Sequence, residues 1–293
     1  MSTVIQLIDA GSKQLAEAGV AFGHGTGNAF DEAVWLVLWR LGLPLDELDA
    51  VAERPVSPAD AARIGELFAQ RIQTRKPAAY LTREAWLQGV PFYVDERAIV
   101  PRSFIAELIA DGAIDYWLGD HTRRVLDLCT GNGSLAVLAA LTYPEVSVDA
   151  ADLSLEALEV AAINVTRHQL DARVTLIHSD GLAEMPGPYD LVLCNPPYVN
   201  SASMAALPAE YRAEPALALA GGSDGMDFVR RLFADAPSRM SAQAVLVLEI
   251  GNERAHFEAA FPRLEVVWLE TSAGEDQVLL ATRDALLAAA GQP

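Results

Sequence analysis

The chain has 293 residues, 52% of them hydrophobic and 21% charged, a length that suggests about two globular domains. Its 40 acidic residues against 21 basic ones leave a net charge of −19, so any surface for nucleic acid would be confined to a local patch of Lys and Arg. No stable nucleic-acid binding is therefore expected, whereas a basic protein partner would be steered toward the chain. The N-terminus shows no basic stretch followed by an apolar core, and the apolar runs at 33–39 and 244–248 fall far short of the ~20 residues of a membrane span. A soluble, cytoplasmic protein without membrane contact is the expectation.

Residues 1–77 predict a helical domain. Apolar positions recur at helical spacing over Val4–Leu15, Ala33–Leu41 and Ala61–Ile72, with Gly23–Gly27, Pro44, Pro55 and Pro58 as breakers. Asn28 or Asp31 can start the second helix and Ser57, ahead of Pro58, the third. The loop Gly23-His24-Gly25-Thr26-Gly27 is no phosphate cradle, having neither a preceding strand nor a Lys-Ser/Thr ending. Residues 78–100 change to a strand-like pattern with Gly89-Val90-Pro91 between two runs, a β-hairpin joining two domains.

Residues 101–293 open with an amphipathic helix, Phe104–Leu118, and then alternate strand and helix. The predicted strands are Val125–Leu128, Ser147–Ala151, Val174–His178, Leu191–Cys194, Ala244–Ile250, Glu265–Leu269 and Gln277–Ala281. Helices at Leu135–Leu141, Leu155–His168, Asp227–Met240 and Glu253–Phe261 lie between most of them, the signature of an α/β, doubly wound parallel sheet. Cys129 and Cys194 are the only cysteines, both at ends of neighbouring core strands. They form no disulfide framework, their sulfurs are expected close together and reduced, and neither has enough ligand-type neighbours for zinc, so no metal is expected.

Three strand ends describe an adenosine site. Asp127-Leu128-Cys129-Thr130-Gly131-Asn132-Gly133 ends the first strand and opens a helix, with glycines that let the backbone approach a ligand. Asp152 ends the second strand, where a carboxylate accepts from two ribose hydroxyls, and Asp180 closes the third, within reach of an adenine amino group. These positions suit a nicotinamide dinucleotide or S-adenosylmethionine equally. Asp127 beside the glycine turn favours the latter, since an acid suits a cationic amino-acid tail better than a pyrophosphate.

The fourth strand favours it further. Asn195-Pro196-Pro197-Tyr198 follows Leu191–Cys194, and two consecutive prolines hold Asn195 and Pro196 extended. The Asn195 side-chain oxygen and the Pro196 carbonyl can then accept both hydrogens of one NH2 group, with Tyr198 as a flat cover. Asn195, Pro196 and Tyr198 are the candidate catalytic residues, and with Pro197 they form the candidate substrate pocket. The five histidines, scattered through loops and helices, are assigned no chemistry.

With this motif the chain resembles the Asn-Pro-Pro-Tyr class of S-adenosylmethionine-dependent methyltransferases. Over nearly its whole length it is similar to the protein-glutamine N5-methyltransferases, including Glu214-Pro215 and Gly221-Gly222-Ser223-Asp224-Gly225. Phe22–Thr26, Tyr80-Leu81-Thr82, Glu84-Ala85-Trp86, Pro91–Arg97, Val100–Ser103, Ile105–Ile109 and Cys129-Thr130-Gly131 resemble the branch acting on large-subunit ribosomal protein L-three. The branch acting on peptide chain release factors more often has glycine where Cys129 stands, and nucleic-acid adenine N6-methyltransferases share the motif. The resemblance implies a Rossmann-like class I methyltransferase sheet, S-adenosylmethionine as cofactor, and a cofactor site at Asp127, Cys129, Thr130, Gly131, Asn132, Gly133, Asp152, Asp180 and Asn195. It also implies a substrate-recognition role for residues 1–77. Gly181 departs from the pattern, standing where a large residue usually packs on adenine, as do Asn132, Phe104 and the stretch Ser272–Asp276.

Overall fold

The computed structural model describes residues 1–291. The N-terminal part holds α1 (Val4–Glu17), α2 (Ala29–Leu41), α3 (Leu48–Val51), α4 (Pro58–Thr74) and α5 (Ala78–Thr82). Their starts follow from local chemistry. Thr3 and Gln6 make a reciprocal capping box on α1, and Asn28 and Ser57 accept the Asp31 and Asp60 N–H groups to open α2 and α4. Val4, Ile8, Leu36, Ile64 and Phe68 pack as the core of this part.

A two-stranded hairpin follows, β1 (Ala85–Leu87) and β2 (Val90–Phe92). Its turn lies at Gln88-Gly89, both left-handed, as a tight hairpin requires, one step earlier than the sequence suggests. Val90 and Pro91 belong to β2 itself. Ala85, Val94 and Val100 pack into the helical core, while Leu87 and Phe92 pack into the core of the large sheet.

The C-terminal part begins with α6 (Ile105–Ala110). The predicted helix to Leu118 stops early because Gly112 turns left-handed at φ +66°; a single 3-10 turn at Asp115–Trp117 follows. Then come β3 (Arg124–Leu128), α7 (Ser134–Thr142), β4 (Ser147–Asp152), α8 (Leu155–Arg167), β5 (Val174–His178), β6 (Tyr189–Cys194), α9 (Ser201–Ala206), α10 (Asp227–Asp235), β7 (Met240–Glu249), α11 (Arg254–Ala260), β8 (Val267–Thr271), β9 (Gly274–Thr282) and α12 (Arg283–Ala290). The sheet order is β5-β4-β3-β6-β7-β9-β8. Five strands are parallel, but β9 runs antiparallel to both β7 and β8, which corrects the all-parallel expectation. A turn at Ser272-Ala273 joins β8 directly to β9, and so short a link allows only antiparallel pairing. Alternation along β3 sends Val125 to the layer built with α6 and α7, and Leu126 to the opposite layer with α10 and α12. The predicted helix over 227–240 gives way at Pro237, and Met240 already belongs to β7.

Buried charges tie the two parts together. Arg71 on α4 is fully buried and donates from Nε to Glu32 (2.7 Å), from Nη1 to Glu210 (3.3 Å) and from Nη2 to the Ala21 carbonyl (2.8 Å). Glu214 accepts from the Val100 N–H (2.9 Å) and from Arg102 at 2.6 and 2.8 Å, with His24 Nε2 at 3.4 Å. Burial disfavours the Glu214 charge, yet Arg102 and His24 hold its carboxyl down to about 2. Glu210 and Glu214 lie just beyond the Asn-Pro-Pro-Tyr motif, so the motif's own continuation is seated on the helical domain. His24 is accordingly a structural residue, 2% exposed and packed against Tyr211 at 4.3 Å between ring centres, the rings tilted by 51°.

Candidate active site

The strand order reverses beside β3, since β4 and β5 extend one way and β6 returns on the other side. A crevice forms at the carboxyl ends of strands where such a reversal occurs. Here it is a cavity of about 590 Å³ lined from the ends of β3, β4, β5 and β6. Cys129–Asn132 form one wall, Asp152–Ser154 and Ser179–Gly181 a second, and Asn195 and Pro197 a third.

The turn after β3 folds back by alternating handedness. Cys129, Gly131 and Gly133 have φ of +62°, +57° and +81°. Glycine takes that conformation freely, whereas a residue with a Cβ pays roughly 1–2 kcal/mol. Cys129 is therefore strained at a position whose backbone would suit glycine. A hydrogen bond with the neighbouring Cys194, and then desolvation, push the thiol of the half-buried Cys129 well above its ordinary range, so it stays protonated. Nothing lies within 4 Å of where a Gly131 side chain would stand, which leaves that side of the cavity open.

Asp152 is held in place by backbone donors, Gly131 N–H at 2.9 Å on one oxygen and Ser154 N–H at 2.8 Å on the other. Burial raises its pKa, and these donors oppose the rise. Asn132 Oδ1 accepts from the Ser134 N–H at 3.2 Å, leaving its buried Nδ2 without a partner among the described residues. Asp127 is wholly buried beneath the turn and outside the cavity wall; its Oδ2 accepts from Thr130 Oγ1 (2.5 Å) and the Ala136 N–H (2.9 Å), while its Oδ1 has no hydrogen-bond partner among the described residues. Gly133 likewise stays out of the wall, packed against Ala161 of α8.

Asn195 lines the cavity, and among the described residues its side-chain amide makes no hydrogen bond; nor does the Pro196 carbonyl. Both are free acceptors. Pro196 is buried and Tyr198 half-buried, behind the part of the rim that Asn195 and Pro197 form. The Tyr198 backbone and ring are clasped by glycines: a Cβ at Gly221 would stand 2.7 Å from Tyr198 Cα, and one at Gly251 would stand 2.5 Å from its ring. Its hydroxyl donates to Glu249 Oε1 at 3.2 Å.

Sequence reasoning missed Phe228, Arg231, Ser103 and Glu249. Phe228 and Arg231 on α10 line the cavity opposite Gly181, and a Gly181 Cβ would lie 4.0 Å from the Phe228 ring. Arg231 stands 5.5 Å from the centre of that ring and pairs with Asp180 at 3.1 Å. No local signal marks α10 as part of the site. Glu249 carried one, being an acid at the end of a core strand, where sites gather.

The residues fit S-adenosylmethionine: an anchored carboxylate at the end of β4 for a ribose diol, an open glycine turn, the unpartnered Asn132 donor, and an aromatic face at the adenine end. Fold and site together define a class I, S-adenosylmethionine-dependent methyltransferase. The hMettl16 catalytic domain, in complexes with MAT2A 3'UTR hairpins 6 and 1, has the same fold, with TM-scores of 0.52 and 0.51 at 14% and 15% identity. These matches cover 77% and 80% of this chain and 81% and 84% of those chains. Residues 114–214 match the methyltransferase small domain and residues 6–82 the PrmC N-terminal domain. Proteins named ribosomal protein uL3 glutamine methyltransferase are 54% identical in Bordetella pertussis, covering 98% of this chain and 97% of that one. The corresponding protein of Burkholderia pseudomallei is 51% identical over 99% and 97%, and that of Neisseria gonorrhoeae 45% identical over 98% and 96%. The chain belongs to this family of glutamine methyltransferases.

Proposed function

We propose that the enzyme methylates the side-chain nitrogen of a glutamine in ribosomal protein uL3, at the pocket formed by Asn195, Pro196, Pro197 and Tyr198. The observation that carries this reading is the pair of free acceptors, the Asn195 amide oxygen and the Pro196 carbonyl, beside a cavity suited to the cofactor. An amide nitrogen is a poor nucleophile because its lone pair is delocalised into the carbonyl. The two acceptors take its two hydrogens, fix the NH2 plane, and stabilise positive charge as it develops on nitrogen. Tyr198 covers the amide and excludes water. Bound S-adenosylmethionine supplies the methyl group from its sulfonium, and the electrons of the broken bond remain on sulfur. The nitrogen then sheds one proton to solvent. Asp152 would hold the ribose, Thr130–Asn132 the amino-acid tail, and Asp180 the adenine amino group; Asp127 would act on the tail through Thr130.

The helical domain would serve as the substrate arm, since four motif residues cannot read a whole protein. Its buried ion pairs with Glu210 and Glu214 make removal of residues 1–77 a poor test, because both acids would lose partners.

The decisive assay offers labelled S-adenosylmethionine with unmethylated uL3, a release factor and bare RNA in separate reactions, and locates the methyl by mass spectrometry. A single methyl on a glutamine of uL3 is expected. Label on the release factor alone would overturn the substrate, and label on RNA alone would overturn the amide chemistry as well.

A further inference from the structure

A second cavity, about 720 Å³ in volume, lies between the helical domain and the hairpin and shares no lining residue with the cofactor site. Its walls are aromatic. Trp35 and Trp39 stand four residues apart on α2 and therefore share one helix face, and Trp86 on β1 faces the same space, 43% exposed. Glu84 accepts the Trp86 indole N–H at 2.9 Å, and Asp46 adds a second carboxylate to the lining. Gly42, the left-handed C-cap of the 13-residue helix α2, also lines the cavity, so the negative end of that helix dipole faces it. No Lys or Arg is among its lining residues.

Indole faces, carboxylates and a helix C-terminus are each attractive to a cation, and here they converge. We propose that this cleft binds a lysine- or arginine-bearing segment of the protein substrate, docking it apart from the glutamine being methylated. The proposal rests on the reading that the substrate is a protein. Two further observations select this occupant. Gly25, Thr26, Glu84 and Trp86 come from the segments by which the sequence resembles the ribosomal branch, and they meet at this cleft. A ribosomal protein must also neutralise RNA phosphate, so it presents the matching cations. A second copy of this chain, at −19, would bring mostly like charge, and RNA would meet two acids with no base.

Two measurements test it. The first is binding of a fluorescent lysine oligomer to the full-length enzyme and to Trp86→Leu, which alters no charge and keeps apolar bulk at a half-exposed site. Loss of one cation–π face should weaken binding about fivefold; equal affinity would overturn the proposal whatever the enzyme methylates. The second is steady-state methylation of uL3 by Trp86→Leu and by Asp46→Lys. KM for uL3 should rise about tenfold, with kcat and the Kd for S-adenosylmethionine within twofold of wild type. An unchanged KM, or a fall in cofactor affinity alongside it, would count against the cleft. Failure of the wild-type enzyme to methylate uL3 would sink the substrate reading instead, and the oligomer experiment would still decide the cleft.

Discussion

Tyr198 and Glu249 come from different strand ends and meet in a part-buried hydrogen bond of 3.2 Å, hydroxyl to carboxylate. Glu249 is 2% exposed, and its other oxygen accepts from Ser103 Oγ (2.6 Å) and the Phe104 N–H (2.9 Å). Burial, and then the adjacent Glu249 charge, push the Tyr198 phenol far above its ordinary range, so it stays a neutral donor. Glu249 thus sets the position of the ring that covers the substrate amide. Leaving a buried donor without its acceptor costs about 1–3 kcal/mol, so Glu249→Ala should lower kcat about 10- to 100-fold. Because Glu249 is a positioning residue, the Kd for S-adenosylmethionine should hold, and Tyr198→Phe, which removes the same hydrogen bond, should lower kcat by a similar factor. Equal losses of cofactor affinity and kcat would show a merely structural role.

Asn195→Ala should cost at least about 100-fold in kcat, since removing one such transition-state partner typically costs about 2.7–4 kcal/mol. The Asn195 side chain makes no hydrogen bond within the described structure, so folding should be little affected. Single-turnover methylation alongside urea unfolding separates the two effects. Near-normal turnover would remove Asn195 from the chemistry.

Gly181 and Phe228 bear on cofactor affinity. Gly181 offers no side chain after Asp180, and the space is faced by Phe228 from α10. An aromatic face against adenine contributes about 1 kcal/mol or slightly more, so Phe228→Ala should raise the Kd for S-adenosylmethionine roughly 5- to 10-fold. Equilibrium dialysis with labelled cofactor measures this directly. Asp152→Ala should weaken the same affinity, because the anchored ribose partner is lost.

The strand ends at Asp127, Asp152, Asp180 and Asn195 were legible because short apolar runs, glycines and prolines act locally. So were the α2 and α4 starts, where Asn28 and Ser57 cap their own helices. What stayed hidden depends on tertiary contact. Phe228 reaches the cavity only because α10 packs across the sheet, and Glu249 meets Tyr198 across 51 residues. Asp127 illustrates the limit: sequence placed an acid at the turn but could not show it buried beneath the turn with one carboxylate oxygen held by Thr130 and Ala136. Likewise the antiparallel β9 follows from the shortness of one turn, which periodicity does not report.

Arg71 is the main buried tie between the helical domain and the segment after the motif. Arg71→Leu would leave Glu32 without its strongest partner and take one from Glu210, both buried. Breaking a buried pair from one side costs about 3–5 kcal/mol, and urea unfolding should show a loss of that order. Replacing Glu32 as well, in Arg71→Leu with Glu32→Leu, should recover part of it. A loss below about 1 kcal/mol would mean that the tie is unimportant to stability.

Asp127 gives the fold a pH dependence. Burial pushes its carboxyl from the usual 3.8 up to about 7, against the hydrogen bonds from Thr130 and Ala136. The folded protein therefore holds this proton more tightly than the unfolded chain does. Its contribution to stability is fully present below about 3.8 and is lost as pH rises through about 7. Each pH unit of that interval corresponds to about 1.4 kcal/mol, so the change amounts to a few kcal/mol in the cofactor-free enzyme. Asp127→Asn carries no titrating group, and its stability relative to wild type should climb between pH 4 and 7 and level off above, where the wild type already bears the buried charge. Paired urea unfolding across that range reads the difference, and a flat line between the two proteins would show that Asp127 is ionised throughout.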